Sequence, residues 1–246
     1  MIRTLLAVFV ALAFIFLLGA PLLIYAVVSG DTDPLYWAGL QGARATLRAA
    51  GVRIEVQGRD KIPAGQAVVF MPNHQSNIDP PAVFVLLPPV LVLGKQEFFR
   101  VPVLGRAMRL RGFVPIDRRN RERAIEAVEQ AIRSLREGRS FLVFPEGTRS
   151  PDGRLQPLKK GAFMMALKAG APIVPISISG ASEVMRKGEF AIHPGRVRIT
   201  FHDAVPTAGC SVDDRERIME CVQKAILSGL APEERPIPEA EGQRGI

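Results

Sequence analysis

Residues 67–81 read Ala67-Val68-Val69-Phe70-Met71-Pro72-Asn73-His74-Gln75-Ser76-Asn77-Ile78-Asp79-Pro80-Pro81. The run Ala67–Met71 is short and wholly apolar, the pattern of a buried strand. It stops at Pro72-Asn73-His74, and the Pro80-Pro81 pair suits the first turn of a helix. The stretch is therefore a strand, a polar turn and a helix start, with a histidine and a carboxylate in the turn.

Outward from this stretch the same alternation continues. Val52–Val56 alternates with period two, and Val90–Leu93, Gly112–Ile116, Ser140–Phe144, Pro172–Ile178 and Arg196–Phe201 read as further strands. Between them, Asn120–Glu137 carries Ile125, Val128, Ile132 and Leu135 at helical steps. Lys159–Lys168 and Asp213–Ser228 read as helices too, the second with Ile218, Val222 and Ile226 one turn apart. Strands alternating with helices predict an α/β domain with a mixed, partly parallel sheet flanked by helices. In such sheets ligands collect at loops leaving the carboxyl ends of strands. Two of those loops, 73–79 and 145–150, hold the reactive side chains.

The N-terminus is different in kind. No charged residue occurs between Thr4 and Gly30. That run exceeds the roughly 20 residues needed to cross a bilayer and the roughly 7–15 of a signal-peptide core. Pro21 is expected to kink or break the helix, which leaves a re-entrant or interfacial anchor open beside a spanning one. Pro34–Ala50 reads as a second helix, with Trp37 at headgroup level. The organisation expected is an N-terminal membrane anchor over 1–50, a catalytic domain over 51–230 and a disordered tail over 231–246. The body is far more basic than the N-terminus, which favours its lying on a cytoplasmic face, as at a bacterial inner membrane.

The 246 residues carry a formal net charge of +8, with a pI near 10.1. Such a surface attracts polyanions, including anionic headgroups and phosphorylated small molecules. Aromatic residues are only 7% of the chain and no nucleic-acid module is recognisable, so nucleic acid is not expected as a partner. Cys210 and Cys221 form no CxxC pair and no metal-ligand spacing with the three histidines, so no metal site is expected. His193 and His202 stand near strand ends without evident partners and read as structural. Residues 100–123 contain eight arginines against two acidic residues, with Phe98, Phe99, Val101, Val103 and Leu104 beside or among them. A basic patch with an apolar edge suits an anionic membrane surface.

His74 and Asp79 lie five positions apart. On a tight turn the carboxylate returns to the imidazole, holds one ring nitrogen as donor and leaves the other as a base. The plainer alternative is a loop histidine and an aspartate capping the helix at Pro80. The second loop, Phe144-Pro145-Glu146-Gly147-Thr148-Arg149-Ser150, offers a glycine, hydroxyls and an arginine suited to bidentate phosphate binding. No GxSxG, HExxH, Walker A or GxGxxG pattern occurs.

Taken together, these segments resemble the glycerolipid acyltransferase family, the 1-acylglycerol-3-phosphate acyltransferases. Four stretches carry the resemblance in order: Asn73-His74 through Asp79, Gly112 through Arg118, Phe144 through Ser150, and Val174 through Ile178. The first looks like the family's motif of histidine and aspartate separated by four residues. The resemblance implies transfer of a fatty acyl group from acyl-CoA or acyl-carrier protein to the sn-2 hydroxyl of lysophosphatidate. His74 and Asp79 would be catalytic. Arg118 and Arg149 would bind the phosphate with Lys95 helping, and Glu146, Gly147 and Thr148 would shape the acceptor site. A main-chain N–H near Gly147 is the expected oxyanion donor, and Val101–Leu104 a candidate lining for an acyl groove. No cofactor is implied. Glycerol-3-phosphate or lyso-ornithine lipid as acceptor, and a non-catalytic lipid-binding scaffold, stay open at this point.

Overall fold

The computed structural model of the protein describes residues 1–117 and 120–237. Arg118 and the tail beyond Ile237 lie outside these.

A sheet of seven strands forms the centre: β1 (Val52–Gln57), β2 (Val69–Pro72), β3 (Val90–Lys95), β4 (Val114–Ile116), β5 (Ser140–Leu142), β6 (Ile173–Ser179) and β7 (Gly195–Phe201). Their order is β1-β7-β6-β2-β5-β3-β4. Every pairing is parallel except β6 with β7, so the expected mixed, partly parallel sheet is present. All four residues of β2 and all seven of β6 are buried, because helices cover both faces there. Side chains alternate between the two sides. Val69 and Met71 join a core with Phe141, Phe163, Ile218 and Val222, while Phe70 joins one with Val174, Ile176 and Val197.

The helices follow the apolar spacing. N-terminal to the sheet are α1 (Ile2–Ala13), a π-helical segment (Phe14–Gly19), α2 (Ala20–Ser29) and α3 (Asp33–Ala50). Beyond it come α4 (Asp79–Phe84), α5 (Leu104–Arg111), α6 (Arg121–Arg136), α7 (Lys160–Ala169), α8 (Ala181–Val184) and α9 (Arg215–Ser228). The sequence pattern missed α5 and α8. Four of the eight residues of α5 are arginine or glycine, so it has little apolar stripe to detect.

Pro21 does not break the N-terminal helix, which runs continuously from Ile2 to Ser29. Proline supplies no N–H for the usual bond one turn back. The six-residue π segment ends immediately before α2, which has proline in its first turn, and such segments are a known way to absorb a disrupted ladder. The helix folds back through Gly30 onto α3, where Gly42 lets the chains meet. A Cβ at Gly42 would stand 3.1 Å from the Cβ of Phe14.

Both ends of this 28-residue helix are tied to the sheet domain. Near the start, Thr4 Oγ1 accepts the Ile192 N–H at 2.9 Å, and Ala7 is buried with Leu47, Ala50 and Val52. Just past its end, Arg111 on α5 donates to Thr32 Oγ1 at 3.0 Å and pairs with Asp33 at 3.0 Å. Between the ties an apolar face that includes Leu5, Phe9, Leu17, Ile24 and Val28 stays exposed.

The C-terminal expectation needs correcting. Residues 231–237 are not a loose tail: Pro232–Glu234 form a 3-10 turn, and Glu234 is buried. The composition there is polar and proline-rich, but a single carboxylate tied to main-chain N–H groups holds the turn in place.

Candidate active site

The two reactive loops exit side by side because their strands are neighbours. β2 pairs with β5 through Val69 and Phe141, and with β6 on its other side through Pro72 and Ile176. Lys95 closes β3, the next strand beyond β5. The carboxyl edge of the sheet therefore gathers His74, Lys95 and the 145–150 loop, as the α/β pattern predicts.

His74 and Asp79 meet. The ring Nδ1 lies 2.8 Å from Asp79 Oδ2. The same oxygen accepts the N–H groups of Gln75 and Ser76, each at 2.6 Å. Asp79 thus caps the turn preceding α4 rather than the helix itself, and the plainer reading of this residue does not hold. Burial pushes its carboxyl above the usual range, while the His74 bond and charge and the two N–H groups pull it back. Asp79 is fully buried and the His74 side chain 16% exposed. The ring lies against Phe144 with centroids 4.2 Å apart. Nδ1 facing a carboxylate is assigned as the N–H, which leaves Nε2 as the lone-pair nitrogen. Among the described residues no hydrogen-bond partner for Nε2 occurs.

The turn is fixed from three sides. Asn73 Nδ2 donates to the Ile178 carbonyl at 2.9 Å, and its Oδ1 accepts the Ile178 N–H at 2.6 Å. Ser76 Oγ donates to the Met185 carbonyl at 2.7 Å. The Ser150 N–H donates to the His74 carbonyl at 2.8 Å. Gln75 Nε2 donates to the Gly153 carbonyl at 2.9 Å. These polar residues are buried at the end of an apolar strand. Sequence reasoning passed over Gln75, Ser76, Phe144 and Gln156, because their partners come from distant segments that no local pattern announces.

Glu146 lies between the two reactive loops. Its Oε1 accepts the His74 N–H at 2.5 Å and its Oε2 the Gln156 N–H at 2.9 Å. It braces one reactive loop against the other. Burial pushes its carboxyl up to about 8, opposed by the two N–H groups and assisted by the Asp79 charge. Between its unfolded value of 4.5 and about 8, the folded protein holds a proton here that the unfolded chain has released. Stability from this group is therefore highest at low pH and falls as pH rises through that window, with the cost complete above about 8. The thermal midpoint of the protein should fall from mildly acidic to alkaline pH, and Glu146→Gln should flatten that slope. An equal slope in the variant would show that Glu146 is not the titrating group.

The Gly147 N–H donates to the Phe144 carbonyl at 3.1 Å, which removes it as an oxyanion donor. Gly147 itself is required by its left-handed φ of 73° and by Lys159, whose Cδ would stand 3.0 Å from an added Cβ. Thr148 is exposed and Arg149 half-buried. Lys95 Nζ lies 3.2 Å from Glu97 Oε1 at the surface. Arg118 lies outside the described residues. Val101 is exposed, while Val103 packs toward the N-terminal helix, its Cγ1 3.5 Å from a Cβ at Gly19. His202 does have a partner, Ser177 Oγ at 2.6 Å, and the pair sits under the end of α9, where Ser177 Oγ donates to the Ile226 carbonyl at 2.6 Å. Among the described residues no cluster of metal-ligating side chains occurs.

An imidazole oriented by a buried carboxylate, with Nε2 available above a strand edge, is the apparatus of an enzyme that takes a proton from a hydroxyl. The chain belongs to the acyltransferase family, whose model matches residues 53–179. It is 36% identical over 183 residues to a 1-acyl-sn-glycerol-3-phosphate acyltransferase of Chlamydomonas reinhardtii, covering 74% of this chain and 54% of that one. It is 30% identical over 188 residues to a protein of the same description from Borreliella burgdorferi, covering 76% and 75%. The crystal structure of the 1-acyl-sn-glycerophosphate acyltransferase PlsC from Thermotoga maritima superposes with a TM-score of 0.78 at 28% identity, covering 92% of this chain and 94% of that one. The matched region spans about half of the Chlamydomonas protein.

Proposed function

We propose that the chain transfers an acyl group from a thioester, acyl-CoA or acyl-carrier protein, to the sn-2 hydroxyl of 1-acylglycerol-3-phosphate, giving phosphatidate. The observation that carries this is the His74–Asp79 pair, 2.8 Å apart, next to a loop that bears Arg149. The names of the relatives add to it.

In this mechanism Nε2 of His74 takes the hydroxyl proton as the oxygen attacks the thioester carbonyl. Asp79 holds the imidazolium that forms. When the carbon–sulfur bond breaks, the imidazolium returns the proton to the departing thiolate, leaving an ester and a free thiol. No acyl-enzyme forms, and no prosthetic group is needed to balance the step. Arg149 and Lys95, at adjacent strand exits, supply cations for the acceptor phosphate.

The N-terminal helix lies along the membrane in this reading. A helix of this length reaches about 40 Å and would cross a bilayer. Its two ends, however, are tied to one folded domain, which occupies one side. The exposed apolar face then enters a single leaflet, and exposed Phe98 and Val101 continue it toward the site, where an acyl chain would enter. The basic body favours the cytoplasmic face.

The test is acyl transfer by the purified protein in liposomes, with acyl-CoA as donor and lysophosphatidate, glycerol-3-phosphate and lyso-ornithine lipid offered separately. Phosphatidate formed from lysophosphatidate alone is the expected result. Transfer to another acceptor only would overturn the substrate assignment, and no transfer from either thioester donor would overturn the enzymatic one. Arg149→Ala should raise the KM for lysophosphatidate at least about tenfold while changing kcat less, the effect of losing a bidentate phosphate contact. An unchanged KM would remove Arg149 from the phosphate site.

A further inference from the structure

We infer that the C-terminal segment Leu230–Arg235 is part of the active-site scaffold, and that Glu234 is a positioning residue for His74. This rests on the reading of His74 as the base.

Glu234 is buried at 6% exposure, far from the reactive loops in sequence. Its Oε1 accepts the Gly180 N–H at 2.7 Å, and its Oε2 accepts the Ala231 N–H at 3.0 Å, closing the 3-10 turn on itself. Its main-chain carbonyl accepts the Leu155 N–H at 2.9 Å. Leu230 and Leu155 are buried in the same core. A carboxylate is costly to bury unless donors satisfy it, and this one spends its side-chain oxygens on main-chain N–H groups.

The two outside contacts reach the two clamps that hold the histidine turn. Gly180 opens the turn into α8. One side of that turn is Ile178, gripped by Asn73 through two hydrogen bonds, and the other is Met185, whose carbonyl receives Ser76 Oγ. Leu155 precedes Gln156, whose N–H reaches Glu146 Oε2, and Glu146 Oε1 holds the His74 N–H. In the same loop the Gly153 carbonyl receives Gln75 Nε2. A single residue thus ties the β6–α8 turn to the 150–156 loop, and the histidine turn is suspended between them. A shift of about 1 Å at a base can cost on the order of 100-fold in rate, so a brace two bonds away can set turnover without touching substrate.

The experiment compares wild type, Glu234→Ala, Glu234→Asp and the exposed neighbour Glu233→Ala, all in the full chain. Two readouts are taken well below each thermal midpoint. The first is hydrogen exchange over residues 70–79, which needs no turnover. Glu234→Ala should raise it at least fivefold and Glu233→Ala should leave it unchanged. The second is steady-state acyl transfer. Glu234→Ala should lower kcat about tenfold with KM for both substrates within twofold. Aspartate is too short to reach Gly180 and should show the same kcat loss, so it decides the matter if the alanine variant does not fold. Unchanged exchange over 70–79 in a folded Glu234 variant overturns the inference, as does wild-type kcat or a loss confined to KM. A wild type inactive with every acceptor would overturn the proposed function instead, and the exchange result would then stand by itself.

Discussion

Replacing His74 with alanine should lower the turnover of acyl transfer by about three to four orders of magnitude, the upper part of the range that a positioned base contributes. In the proposed mechanism Nε2 takes the hydroxyl proton, and neither neighbouring carboxylate is placed to replace it. Asp79 is behind the ring and fully buried, and both oxygens of Glu146 are occupied by main-chain N–H groups. KM for lysophosphatidate should change little, because the cations proposed to hold its phosphate, Arg149 and Lys95, lie at other strand exits. Folding should survive. The ring keeps 16% of its side-chain surface exposed and its main stacking partner is Phe144, so the loss is on the order of 1 kcal/mol. Circular dichroism and the thermal midpoint check that part. Turnover within tenfold of wild type would sink the mechanism.

Much of the architecture was legible because it depends on apolar spacing, which short windows reveal. Ala67–Met71 reads as a buried strand from five consecutive apolar residues, and the helix of α6 from four apolar side chains at helical steps. Helix α5 was hidden because its contacts are made by arginines. Arg109 donates to the Phe99 carbonyl at 2.7 Å, and Arg111 lies over the Tyr36 ring at 4.9 Å. A charge run looks the same in sequence whether it is solvated or packed through its stems.

The reactive pair was readable for another reason. Five positions between His74 and Asp79 are spanned by one local turn, so their meeting needs no knowledge of the rest of the fold. The supports of that turn come from distant segments. Ile178, Met185, Gln156 and Glu234 are brought to it by strand order and by the C-terminal strap, and no local pattern announces a main-chain partner. The internal partners of Glu146 were hidden on the same ground. A carboxylate in a reactive loop suggests a substrate contact, and nothing local shows that its two oxygens accept the N–H groups of His74 and Gln156.

Asp79→Asn should cost about 100- to 1,000-fold in turnover, less than loss of the imidazole. Oδ2 of Asp79 receives three donors: Nδ1 of His74 and the N–H groups of Gln75 and Ser76. An asparagine can satisfy the two main-chain donors with its carbonyl oxygen, which preserves the turn. That oxygen also faces Nδ1 but carries no charge to stabilise the imidazolium, and the flipped amide, with its NH2 toward the imidazole, would favour the tautomer bearing the proton on Nε2. That tautomer has no lone pair for the hydroxyl. The compensating charge is lost in either orientation and the orienting bond only in the flipped one, so the imidazole still reaches the working tautomer part of the time. Steady-state kinetics of Asp79→Asn beside His74→Ala, with kcat and KM for lysophosphatidate read separately, measures the loss. Loss equal to that of His74→Ala, with no active fraction at any pH, would mean that Asp79 does more than orient and stabilise the ring. A variant as active as wild type would mean that the geometry of the turn alone sustains the base.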